Sequence, residues 1–395
     1  MTNPSGIQQQ SLYHLEAPIK DYAWGSTTLL AELTGAPPSD TPQAEMWFGT
    51  HPTTPTRLDD GTALADIVDL PYLVKLLAAE QPLSIQAHPR IDHARVGFAA
   101  ENAAGIPLDH PERTYRDANH KPEMLIALTE FIAMAGFRDP TASATTFHQL
   151  AQLVDDAALA KVLKALAVEL SDGKIQKVLG QLVDPDGPFW DPNGYTRAIF
   201  TAVARSGTDD AYLTNALAAA TIHEDDPGAL VALLMNLTHL SPGQALFIPS
   251  GTIHAYISGL GLEVMATSDN VIRGGLTVKH VDVAELDKVV DYTPSAPPII
   301  APSVRMIDDV EVARFTPPVT DFALTRYDLP PYASITTTAE TPHIAVGTSG
   351  TGTLTSGSNT AEVTPGVGIY VPGHGDSLEI STGASDVTIF IASQP

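Results

Sequence analysis

Four side chains in this sequence combine into a chemistry that none of them has alone: Gln86, His88, Glu123 and His254. They fall in three segments rich in apolar residues, LSIQAHP (83–89), DANHKPEM (117–124) and IPSGTIHAY (248–256). One amide oxygen, two imidazoles and one carboxylate make a mixed nitrogen and oxygen donor set. Borderline divalent metals, zinc first, accept such a set when one position is left for water or substrate. The chain has 13 histidines, so one histidine beside apolar residues carries little weight. Q-x-H on a strand and P-x-G-x-x-H after a strand are each unusual, and together they point to a metal centre.

The spacing also describes the scaffold. Gln86 and His88 are two apart, so on a strand both face the same way. Glu123 follows Pro122 and opens the apolar run MLIAL, at the edge of a strand. His254 follows LFIPSG, an apolar strand closed by Pro249 and Gly251, and the turn lets it project inward at a strand start. Ligands on neighbouring strands of one small barrel are the cupin arrangement.

The bulk composition narrows the function. A chain of 395 residues is long for one core, so two or three domains are expected. Lys and Arg number 21 against 46 Asp and Glu, a net charge of −25. So acidic a surface repels nucleic acid and anionic membranes, and neither is expected as a partner. An anionic substrate would need a local basic pocket. Cysteine is absent, which excludes disulfides, thiolate ligands and cysteine nucleophiles. The start, MTNPSGIQQQ, has neither a basic nor an apolar region, and no apolar run approaches a membrane span. A cytoplasmic monomer is expected.

Periodicity divides the chain. Residues 1–140 read as short strands, with YLVKLL (72–77) and LSIQAHP expected to pair around the turn AAEQP, and HARVGFAAENAA as a helix. Residues 141–239 change to 3.6-residue spacing, punctuated by Asp and Gly, and predict about six short helices, the last over PGALVALLMNLTHL. Strand character resumes at LSPGQALFIPSG. SAPPIIAPS (295–303) reads as a linker, and 301–395 as an all-β module. PGQALFIPSGTIHAYI (242–257) can be laid on PGVGIYVPGHGDSLEI (365–380) without a gap, which puts Ser377 where His254 stands. The expected fold is mainly β with a helical insert. Residues 1–140 and 240–300 form a metal-binding cupin or jelly-roll barrel, 141–239 the helical domain, and 301–395 a second cupin-like barrel without metal.

The segments YAWGS (22–26), AEMWFGTHP (44–52), LSIQAHP, DANHKPEM, PSGTIHAY and LEVMATSDNVIRGGLTVKHVD (262–282) resemble type I mannose-6-phosphate isomerases. The resemblance runs in order from residue 22 to about 285. Ala118 and Val278 stand where that family usually shows proline, and the C-terminal module is weakly matched. The resemblance implies one zinc per chain on Gln86, His88, Glu123 and His254, a phosphosugar substrate, and an active-site arginine at Arg273. Such an isomerase moves a proton between C1 and C2 through an enediol or enediolate, and needs a base, a shuttle for the oxygen protons and positive charge. Arg273 can stabilise the enediolate or grip phosphate, and Lys121 shares the face of Glu123 if the segment is extended. Lys279 and His280 are further phosphate candidates, Ser84 a possible phosphate donor, and Trp24 and Trp47 core residues or sugar platforms. Glu263, Asp269, His120 and Lys121 all remain open as the base. Two other readings are a catalytically idle sugar-phosphate-binding cupin and another metal-dependent cupin enzyme such as a dioxygenase. Retention of Arg273 argues against the first, and Gln86 with the SDN-x-x-R loop against the second.

Overall fold

The computed structural model describes residues 12–190 and 194–395. The segment MTNPSGIQQQ, read above as free of a targeting signal, lies outside the described residues. No helix among those described is long and apolar enough to cross a membrane.

One long strand, His254–Ala266, organises the site. Its first part pairs with Ile85–Ala87 on one side and Phe131–Phe137 on the other. Its second part pairs instead with Tyr72–Ala79 and Glu123–Ala127. The exchange of neighbours falls at a bulge between Tyr256 and Ser258 followed by Gly259. Gly259 has φ of +122°, and a Cβ there would sit 2.6 Å from the carbonyl oxygen of Glu130. Only glycine turns this corner. The strand therefore belongs to two sheet halves that face one interior, filled by Leu77, Leu125, Phe131, Leu246, Ile248 and Tyr256. The described strands form joined sheets rather than a barrel closed bond by bond.

Tyr72–Ala79 is buried along its whole length. Its odd positions look into that interior, while Tyr72, Val74, Leu76 and Ala78 pack outward against Phe315, Leu324, Ile344 and Phe390 of the C-terminal region. A strand with two covered faces has no polar side, which is why YLVKLL reads as nearly continuous apolar sequence. The expected pairing of this strand with LSIQAHP does not form. Tyr72–Ala79 pairs with Glu45–Gly49 and His254–Ala266, and Ile85–Ala87 with Ile272–Gly275 and His254. The intervening turn is held elsewhere: Glu80 and Gln81 donate to the Trp24 carbonyl, and Leu83 to that of Tyr256. It carries the chain from one sheet half to the other.

Five longer helices follow: Pro140–Leu153, Ala157–Ser171, Ile175–Val183, Tyr195–Ser206 and Ala211–Ile222. Asp139, Asp156 and Asp210 cap three of them by accepting the orphan amides of the first turn. The expected sixth helix is only Gly228–Val231, extended by a 3-10 turn. From Met235 the chain is already a strand, Met235–Leu240, paired with Phe131–Phe137. A short apolar run cannot by itself distinguish these two states, and the open edge of Phe131–Phe137 decides it.

Beyond residue 300 an eight-stranded and a four-stranded sheet enclose Leu354, Val371, Ile380, Ile389 and neighbours. The eight-stranded sheet is completed by Tyr13–Glu16 and Arg57–Leu58 from the N-terminal region, with Tyr13 opposite Tyr370. Within SAPPIIAPS, Ile299 and Ile300 pair with Leu246 and Ala245. The internal echo has a structural counterpart. Gly243 and Gly366 have φ of +88° and +83°, and their amides donate to the carbonyls of Ala127 and Gly347 on the neighbouring strand. Ser377 lies exposed on the strand Asp376–Thr382.

Candidate metal centre

Metal-type ligand atoms of His88, Glu123 and His254 lie within 4.8 Å of one another, and all three residues are buried. Each is placed by a strand end. Glu123 opens Glu123–Ala127, His254 opens the long strand, and His88 leaves Ile85–Ala87 one residue past its end. Gln86 stands directly opposite His254 on one side and Arg273 on the other. Side chains of directly opposed residues share a sheet face, so His254, Gln86 and Arg273 form one row across three strands. At about 4.8 Å per strand, the row spans roughly 10 Å of backbone.

The proton positions favour a cation between the ligands. His88 Nδ1 lies 2.6 Å from the carbonyl oxygen of Asn270, and His254 Nδ1 lies 2.9 Å from that of Thr252. A carbonyl can only accept, so each ring carries a proton on Nδ1, and the neutral form of either ring then presents a lone pair on Nε2. His88 Nε2 is 3.0 Å from Glu123 Oε1 and His254 Nε2 is 3.4 Å from Glu123 Oε2. Those separations would suit ion pairs, yet among the described residues both buried Nε2 atoms have no hydrogen-bond partner. The tautomers explain this, since two lone pairs aimed at a carboxylate repel it unless a cation lies between. Ligand histidines held through the other ring nitrogen by a carbonyl are the usual outer support of a metal site. The donor set fits zinc.

Charge around the centre is layered. Burial pushes the Glu123 carboxyl up, but the Lys121 ammonium leads the groups that outweigh it and hold Glu123 well below the usual carboxylate range. Lys121 Nζ is 3.1 Å from Glu123 Oε1. Burial, with Lys121 beside it, lowers His88 to about 4 and keeps its ring neutral. Along the same sheet face Lys75 Nζ lies 3.0 Å from Glu263 Oε2 and 3.3 Å from Glu45 Oε1, and Trp47 Nε1 donates to Glu45 at 2.9 Å. Burial nevertheless raises Glu263 above its ordinary value, Lys75 offsetting only part of it. For Lys75 the balance is reversed, because Glu263 and Glu45 overcome burial and raise it.

The other sequence candidates separate. The Asp269 side chain is 40% exposed, and His51 Nε2 lies 3.2 Å from its carboxylate. Burial would raise it, but His51 and Lys121 hold it below the ordinary range. Glu263 is only 2% exposed and enclosed by Lys75. His120 Nε2 sits 3.1 Å from both oxygens of Asp321, a residue of the C-terminal region. Arg273 is half-buried, and Lys279 and His280 are exposed in the following loop. Burial and Arg116 lower Arg273, and burial, Arg273 and Arg116 lower Lys279, so these cations crowd one another. Ser84 is half-buried, two residues before Gln86. Trp24 packs on the apolar interior and stacks on Tyr22 with centroids 5.7 Å apart. Lys75, Glu45, His51 and Arg116 escaped the sequence reading, and Asn270 entered it only as part of the SDN-x-x-R loop. A lysine inside YLVKLL was the available signal for the first.

A β scaffold with two histidines and a carboxylate converging beside a cation cluster defines a metal-dependent enzyme of cupin type. Comparison with known proteins makes this specific. The sequence model of the phosphomannose isomerase type I catalytic domain matches residues 12–69 and 66–140. Mannose-6-phosphate isomerase of Escherichia coli K12 is 34% identical over 377 residues, covering 89% of this chain and 93% of that protein. The Salmonella typhimurium enzyme is 36% identical over 335 residues, covering 79% and 82%. A zinc-bound holo mannose 6-phosphate isomerase superposes with a TM-score of 0.84 at 30% identity, over 98% of this chain and all of that one. A mutant of the Salmonella typhimurium phosphomannose isomerase gives 0.85 at 31% identity, again over 98% of this chain. The chain belongs to the type I phosphomannose isomerase family.

Proposed function

We propose that this protein is a zinc-dependent isomerase interconverting mannose 6-phosphate and fructose 6-phosphate. The observation that carries it is the pair of buried Nε2 lone pairs converging with Glu123, at one end of a row that ends in Arg273. Zinc, held by His88, Glu123, His254 and Gln86, would supply Lewis acidity toward the sugar oxygens. Arg273, Lys279 and Arg116 hold the phosphate, a local reversal of the acidic surface, and Ser84 is a further donor on this side. The row from His254 to Arg273 suits a six-carbon sugar with its phosphate at the far end.

The proton acceptor in this reading is Asp269. Its carboxylate is ionised at neutral pH and open, while Glu263 is enclosed against Lys75. His120 is turned to Asp321, and Lys121 is engaged by Glu123 and supplies positive charge. Lys75 and Glu263 tune the charge beneath the ligands. Residues 1–140 with 240–300 act as the catalytic domain, 141–239 as a helical insert and 301–395 as a second β domain, in a cytoplasmic monomer. Purified protein should convert mannose 6-phosphate to fructose 6-phosphate. Asp269→Asn should abolish exchange of the C2 proton with solvent while Glu263→Gln retains it, and the opposite pattern would reassign the base.

A further inference from the structure

Behind the candidate ligands, two loops are stitched together by one amide. Asn270 is fully buried. Its Oδ1 accepts from the backbone N–H groups of Arg116 at 2.7 Å and Asp117 at 3.3 Å. Its Nδ2 donates to the carbonyls of Asp117 at 2.9 Å and Asn119 at 2.8 Å, and to Asp117 Oδ1 at 3.1 Å. Its backbone N–H donates to Ser268 Oγ at 3.1 Å, and its carbonyl receives His88 Nδ1 at 2.6 Å. Asp117 reinforces the junction by accepting from Ser268 Oγ at 2.9 Å and from the Asp269 amide at 2.8 Å.

The carbonyl that fixes the His88 tautomer therefore sits on a residue whose side chain grips 116–119, the stretch leading into Lys121 and Glu123. Moving Asn270 moves both a ligand and the approach to another. We propose that Asn270 is a positioning residue for the metal centre, setting the angle of His88 and its spacing from Glu123, and through them the metal affinity. The proposal rests on the metal reading given above. Any residue at 270 keeps a backbone carbonyl, so what the side chain supplies is the placement of that carbonyl. Loss of such outer support costs about 10- to 100-fold in metal affinity.

The test measures zinc affinity by chelator competition in the wild type, Asn270→Ala and Asn270→Asp. The absorption of the cobalt(II) forms and the thermal unfolding of the metal-free forms are recorded alongside. Asn270→Asp keeps the size but turns an acceptor toward three other acceptors. Both variants should bind zinc about 10- to 100-fold more weakly, with a changed cobalt spectrum. A merely structural role would lower the unfolding temperature of the metal-free protein and leave zinc affinity within about twofold; that result overturns the proposal. A wild type that binds no zinc would overturn the metal reading instead. Asp117→Asn attacks the same junction from the other side, and stands in if the Asn270 variants do not fold. Weaker zinc binding in it supports the proposal, and unchanged binding overturns it.

Discussion

Replacing Lys75 by methionine keeps the length of the side chain and removes its charge. The ammonium lies 3.0 Å from Glu263 and 3.3 Å from Glu45, with side-chain exposures of 7%, 2% and 7% for Lys75, Glu263 and Glu45. Removing one partner of a buried ion pair costs about 3–5 kcal/mol, because the other charge is left uncompensated. Glu45 keeps its bond from Trp47 Nε1, so the stranded group is Glu263. Glu263 already stands above its ordinary value, and losing Lys75 lifts it further. An acid whose pKa is higher folded than unfolded binds a proton in the native state that the unfolded chain has released. Its penalty therefore grows as pH rises from the unfolded value, about 4.3, to the folded one, and vanishes below that window. At 1.36 kcal/mol per pH unit, 3–5 kcal/mol corresponds to a displacement of roughly two to four units. Urea unfolding of metal-free wild type and Lys75→Met should thus differ strongly at pH 8 and converge toward pH 5. The double variant with Glu263→Gln should recover part of the loss at pH 8. Equal stability of Lys75→Met and wild type at pH 8, or a deficit independent of pH, would refute a buried charge cluster beneath the candidate ligands.

His254→Ala should lose bound zinc, read by metal analysis after gel filtration, because a site deprived of one of two imidazoles cannot keep its metal. Arg273→Ala should lower turnover by about 100-fold or more while leaving zinc content unchanged, and Arg273→Lys should rescue only part, since the ammonium lacks the planar fork. Asp321→Asn weakens the grip on His120; steady-state kinetics should show a loss of severalfold at most, because this pair steadies the strand entry rather than the reacting atoms.

The segments that bring His88, Glu123 and His254 together were legible in the sequence because each of these candidate ligands is announced locally. Q-x-H, the Pro122–Glu123 strand start and the Pro249 turn each name a residue and a direction within a few positions. The Asp caps of the helices were legible for the same reason. What escaped depends on register between distant strands. Nothing near Tyr13 announces that it will pair with Tyr370, or that Lys75 will meet Glu263 across a sheet. The strand at Met235 escaped because MNLTHL is apolar enough for either state, and only the free edge beside it selects one. His120 is one of four candidates for the base from its place in the sequence, and its contact with Asp321, some two hundred positions away, could not be read there.

The most direct test is titration of the metal-free protein with zinc while following fructose 6-phosphate formation from mannose 6-phosphate. Activity should be absent at the start, rise linearly and break at one zinc per chain, with His254→Ala inactive throughout. Full activity in the metal-free protein, or zinc bound one per chain with no conversion of mannose 6-phosphate, would contradict the account.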